Sequence, residues 1–190
     1  MDINFFTGLM GSGKSKKMIE MIDYFGQKDN LPLAVSFEKK AGERTFIESR
    51  NGDSIEGFCL SENGEGNISF LDTLLERTSI NNIYIDEIQF LSRKALKELL
   101  NYLKNKDVNL FLYGLETTFT GSYFESSEYL INNLKKSQIH FIVMNCQTDD
   151  CYSKADYNGR IVDGKVAREG AIFVSEKSKY LALCEKCYFS

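Results

Sequence analysis

The first residues able to do chemistry are Gly8-Leu9-Met10-Gly11-Ser12-Gly13-Lys14-Ser15, which fit G-x-x-x-x-G-K-[ST] without a mismatch. A short apolar strand, Ile3 to Phe6, precedes them, and Met18, Met21, Ile22 and Phe25 follow at the spacing of one helix face. Strand, glycine-rich loop and helix in that order make a phosphate-binding loop. Its glycines let the backbone wrap a phosphate, its N–H groups point inward, and the helix adds its positive end. In such a loop Lys14 reaches the β- and γ-phosphates of ATP and the Ser15 hydroxyl joins the Mg²⁺ shell. A second group is Asp86-Glu87, at the end of the apolar run Ile83-Tyr84-Ile85. Asp86 is the natural second acid for Mg²⁺, and Glu87 is placed to act as a general base.

Cys146-x₄-Cys151 and Cys184-x₂-Cys187 supply four thiolates, the number and softness preferred by structural Zn²⁺. Four sulfurs close a tetrahedral shell and leave no position for a reacting water, so this metal holds structure and does not enter the reaction. Cys59 stands apart and reads as core, and His140, in an apolar strand, reads as structural.

The elements that must position these groups alternate. Strand patterns at 31–37, 83–85, 109–113 and 139–144 are interleaved with helical patterns at 68–75, 96–103 and about 123–135. Short buried strands between amphipathic helices predict an α/β fold of the P-loop NTPase type, a mostly parallel sheet with helices on both faces. Ligands in such sheets sit beyond the carboxyl ends of the strands. Residues 41–66 lack clear periodicity and read as loop or hairpin. The clustering of four cysteines after residue 145 sets a boundary, with an α/β domain over 1–144 and a small zinc-ribbon-like domain over 145–190.

A net charge of −4 with mixed signs offers no basic face for a nucleic acid polymer. No apolar run approaches membrane-spanning length and no basic-apolar leader opens the chain, so a cytoplasmic protein without a membrane partner is expected.

Taken in order, Gly8 to Ser15 with Met10, Asp86-Glu87-Ile88-Gln89-Phe90, Gly114-Leu115-Glu116-Thr117-Thr118-Phe119 and Lys179-Tyr180-Leu181-Ala182-Leu183-Cys184-Glu185-Lys186-Cys187-Tyr188-Phe189 resemble the thymidine kinases of the small, zinc-containing class. The resemblance spans nearly the whole chain. It implies transfer of the ATP γ-phosphate to the 5′-hydroxyl of thymidine, with deoxyuridine as a related acceptor, in pyrimidine deoxynucleotide salvage for DNA synthesis. It implies Glu87 as the base, Gln89 and Phe90 lining the same site, and Met10, Leu115, Phe119 and Phe124 walling the nucleoside pocket. It further implies a lasso loop over about 159–179, with Ala171, Ile172, Phe173, Val174 and Ser175 nearest the base and Tyr180 packing on the nucleoside. A homotetramer is also implied.

The chain departs from the family pattern at four places. The first cysteine pair is separated by four residues where the family usually has two. Phe37-Glu38-Lys39-Lys40 stands where the family has Asp-x-Arg after its second strand. Asn158 stands where the family carries a Thr near the pyrimidine C5 substituent, and Ser175-Glu176 replaces Gly-Gly. Without the resemblance, the same phosphate loop and carboxylates also fit a P-loop ATPase or nucleotide switch, with Glu87 activating water and the zinc module binding a partner.

Overall fold

The computed structural model describes residues 2–26, 29–171 and 179–190. Its larger sheet contains β1 (Ile3–Gly8), β2 (Asn30–Ser36), β3 (Arg44–Glu48), β4 (Ser54–Ser61), β5 (Asn82–Asp86), β6 (Asn109–Gly114) and β7 (Ile139–Ile142). These lie in the order β3-β4-β2-β5-β6-β1-β7, parallel throughout except for the β3–β4 hairpin. The strands expected from the sequence are all present. The segment expected as loop or hairpin is a hairpin, and β4 also pairs with β2 to extend the parallel sheet.

Successive strand residues point to opposite faces, and the helices cover both. In β5, Ile83 and Ile85 enter one core with Leu71 of α2 (Asn67–Leu75), Leu96 and Leu99 of α3 (Arg93–Leu103) and Leu130 of α4 (Glu125–Asn133). Tyr84, between them, enters the other core with Met18, Ile19 and Ile22 of α1 (Lys14–Phe25). The second core also takes in Ile47 of β3 and Ile55 of β4. The hairpin therefore curls back over the α1 face although four strands separate β3 from β1 in the sheet. Helix α3 starts where Ser92 accepts the Ala95 amide at 3.2 Å, and its leucines recur every three or four residues on the buried side.

After β7 the chain builds a small antiparallel sheet, β10-β8-β9, from β8 (Tyr157–Val162), β9 (Lys165–Ala167) and β10 (Lys179–Leu183), followed by α5 (Glu185–Phe189). Cys146, Leu183, Cys184 and Tyr188 form its own buried cluster. Cys59 is buried in the α/β part, and the His140 ring stacks on Phe6 with its Nε2 2.9 Å from Asn4 Oδ1. No described helix is long and apolar enough to cross a membrane.

Candidate active site

The phosphate loop, Asp86 and Leu115 lie at or just beyond the carboxyl ends of β1, β5 and β6, three neighbours at the middle of the sheet. Gly11 and Gly13 have φ of 78° and 89°, left-handed values that favour glycine and turn the loop into α1. Lys14 is buried and its Nζ donates to the carbonyls of Gly8 and Leu9 at 3.2 and 3.0 Å. Burial lowers the Lys14 ammonium below its ordinary value; Glu87 and Asp86 hold it up, and Arg50 pushes it further down.

Ser15 Oγ donates to Asp86 Oδ2 at 2.7 Å, so the two groups expected to hold Mg²⁺ already touch. Burial pushes the Asp86 carboxyl up to about 6, and the Glu87 charge adds to the rise. Hydrogen bonds from Ser15 and the Glu87 amide, and the charge of Lys14, oppose it. A buried carboxylate with this deficit of positive charge suits a divalent cation. The loop also fits a phosphate: the Ser12 hydroxyl oxygen is buried without a hydrogen-bond partner, and a phosphate oxygen would accept from it.

Glu87 has φ 57° and ψ 36°, left-handed backbone that is rare for a residue with a side chain and a known form of strain at functional sites. The turn lets the Glu87 amide bond Asp86 Oδ1 at 3.0 Å while its side chain faces the cavity. Gln89 holds it there. Its Nε2 donates to Glu87 Oε2, and its Oε1 accepts the Leu115 amide at 3.0 Å. Gln89 is buried, and a side chain on Gly114 would meet its Oε1 at 2.6 Å. The Leu115 carbonyl in turn accepts from the buried Ser127 hydroxyl at 2.5 Å.

A cavity of about 350 Å³ gathers Met10 to Ser15, Glu87, Phe90 and Leu115. The remaining residues expected at the site lie around it. Gly8 and Leu9 border a neighbouring hollow of about 340 Å³ beside Glu116 and Tyr157. Gln89 stands behind Glu87 rather than in the cavity wall. Phe124 backs Phe90 edge-on at 6.0 Å. Phe119 is buried, its ring 5.2 Å beneath the Arg160 guanidinium and its carbonyl bonded by the Tyr188 hydroxyl at 2.6 Å. Asn158 is buried with both ends of its amide engaged: Oδ1 accepts from the Met10 amide at 2.7 Å and Nδ2 donates to the Thr117 carbonyl at 2.8 Å. Tyr180 pairs with Arg160 across β10 and β8, and the Ala171 carbonyl accepts from Arg160 at 3.1 Å. Ile172, Phe173, Val174 and Ser175 lie outside the described residues.

The hairpin tip adds residues that no sequence motif marked. Glu48, Ser49, Arg50 and Asn51 form one wall of the cavity, and a Cβ on Gly11 would lie only 2.7 Å from Arg50 Nη1. Glu38 and Lys40, which stand where the family has Asp-x-Arg, are exposed and are not in that wall. The available signal was Asn51-Gly52, a hairpin-turn pair, directly after a single arginine.

The thiolates of Cys146, Cys151, Cys184 and Cys187 converge, with all four sulfurs within 4.8 Å of one another. That donor set fits Zn²⁺, which would tie the loop after β7 to the end of β10.

A glycine loop with a buried lysine, a hydroxyl–carboxylate pair and a carboxylate aimed into the same cavity define a P-loop phosphotransferase site. A family model described as thymidine kinase matches residues 1–188. A thymidine kinase of Bacillus subtilis subsp. natto is 43% identical over 192 aligned positions, covering 100% of this chain and 97% of that protein. One from Lactococcus lactis subsp. lactis is 28% identical, covering 97% and 95%, and one from Pseudothermotoga lettingae is 21% identical, covering 98% and 94%. The chain belongs to the thymidine kinase family.

Proposed function

We propose that this chain phosphorylates the 5′-hydroxyl of thymidine, and of deoxyuridine, with ATP as donor, in the cytoplasm and as a homotetramer. The observation that carries the reading is the single cavity bounded by the phosphate loop, Glu87, Phe90 and Leu115. A γ-phosphate held by the loop and a hydroxyl beside Glu87 would share that cavity, which is the proximity that phosphoryl transfer requires.

Lys14 and the loop amides hold the donor phosphates and offset charge as it builds on them. Ser15 and Asp86 would hold the Mg²⁺, whose charge would offset the charge that builds on the donor phosphates. Glu87, aligned by Gln89, accepts the proton that leaves the 5′-hydroxyl as its oxygen attacks phosphorus. Met10, Phe90 and Leu115 give the flat base an apolar wall, backed by Phe124. Residues 145–190 act as a second domain, which structural Zn²⁺ on the four cysteines would hold. Apolar Phe141 and Val143, exposed on and just after the edge strand β7, support a subunit contact there.

The test is ATP consumption with and without thymidine, with the product identified. Turnover that requires thymidine and yields its 5′-monophosphate is expected. Equal ATP turnover without thymidine would instead favour an ATPase in which Glu87 activates water.

A further inference from the structure

The small antiparallel sheet beside the cysteine cluster is linked to the active site through a short series of contacts. Gln147, the residue after Cys146, clasps Ala182 from both sides: its amide donates to the Ala182 carbonyl at 2.8 Å, and its Oε1 accepts the Ala182 amide at 2.8 Å. Ala182 lies two residues before Cys184 and is the register partner of Asn158 across β10 and β8. The fit between these strands is close, since a Cβ on Gly159 would meet Leu183 Cδ1 at 2.4 Å. Asn158 is 3% exposed, and its carboxamide reaches the Met10 amide in the phosphate loop and the Thr117 carbonyl in the loop after β6.

We infer that Asn158 is a positioning residue, through which the cysteine cluster sets the Met10 and Thr117 backbones and hence the nucleoside side of the cavity. An amide suits this task because it accepts at one end and donates at the other, matching an N–H and a C=O at the same time. A carboxylate cannot donate, and a threonine hydroxyl has a shorter reach. One bond at each end fixes the amide with Oδ1 on Met10 and Nδ2 on Thr117. Its effect on the acceptor passes through Met10, which lines the cavity, and through the segment that carries Leu115 and Phe119.

The inference rests on the kinase reading above, and equilibrium binding, kinetics and metal content together test it. Asn158→Ala leaves two backbone groups unpaired, one of them in the phosphate loop. The expected result is a rise of about tenfold or more in the thymidine Kd and KM, with ATP Kd within about threefold and one zinc retained per chain. Asn158→Thr, which keeps a hydroxyl, should fall between the two and serves if the alanine variant does not fold. Combining Asn158→Ala with Cys187→Ser should cost little more than Cys187→Ser alone, because both break one series of contacts. Unchanged thymidine binding, equal losses for ATP and thymidine, or effects that multiply in the double variant would each overturn the inference. An unsubstituted protein that binds ATP but does not phosphorylate thymidine would defeat the kinase reading, a separate outcome from any of these.

Discussion

The two sides of the cavity are held by different means. The side that does the chemistry stands on the central strands β5, β6 and β1, whose residues Ile83, Ile85, Leu110, Leu112 and Phe5 are completely buried. Side chains fix its loops from behind: Gln89 and Ser127 take the amide and the carbonyl of Leu115. The side that meets the nucleoside leans on a three-stranded sheet, four thiols, and contacts such as those of Asn158 and the Tyr188 hydroxyl. A large apolar core supports the first side, and a cluster of four cysteines suited to Zn²⁺ with a few polar ties supports the second. Damage to each should therefore read out in different kinetic constants.

The largest effect should come from the chemical side. Glu87→Gln keeps the shape and the backbone turn but cannot take a proton, so kcat should fall by about 10²–10⁴-fold with ATP affinity unchanged. Steady-state kinetics with a separate nucleotide-binding titration checks this, and a wild-type kcat would remove Glu87 from the mechanism. Next comes the side with the cysteine cluster. Cys187→Ser should lose zinc by elemental analysis and raise the thymidine KM by about tenfold, with a much smaller change for ATP. Full activity in a zinc-free preparation would erase the contrast between the two sides.

Arg50→Ala probes the hairpin tip, which belongs to neither side. Its guanidinium is exposed and lies over Gly11, so the expected change is about three- to tenfold in the ATP KM, shrinking as salt is added. A larger change in the thymidine KM would move Arg50 to the other wall. The smallest effect concerns Asp86. Its carboxyl titrates at about 6 in the folded chain against 3.8 ordinarily, so the folded form binds the proton more tightly. Stability from this group is present below about pH 4 and is lost as pH rises through about 6. In metal-free buffer the melting temperature of Asp86→Asn should gain on that of the unsubstituted protein across this window. A constant difference between the two proteins would show that Asp86 titrates normally.

What was readable in the sequence follows how local the signal is. Gly8 to Ser15 is contiguous and its pattern is carried by adjacent residues, so spacing alone identified it. Asp86 and Glu87 end a run whose apolar character marks a buried strand, and the cysteines declare their chemistry by residue type. The parallel core was legible from alternation of Ile83 to Ile85 and from the leucines of α3. Arg50 was not, because it reaches Gly11 only after Ile47 and Ile55 pack against α1 and fold the hairpin over. The partners of Asn158 were equally hidden: Met10 lies 148 residues away, and no local pattern encodes which backbone groups a buried amide will meet.

The hairpin tip also bears on how the protein ages. Asn51 is exposed, borders the cavity and precedes Gly52, whose lack of a side chain leaves its nitrogen open to attack on the asparagine carboxamide. That cyclisation releases ammonia, and hydrolysis of the succinimide it forms leaves aspartate or isoaspartate, which places a new negative charge on the wall facing Lys14. The bond from the Gly52 amide to the Ser49 carbonyl at 3.0 Å slows the step by restraining the attacking nitrogen. Stored protein should therefore drift toward weaker nucleotide binding while its fold and zinc content stay intact, a change of one mass unit traceable to a single peptide.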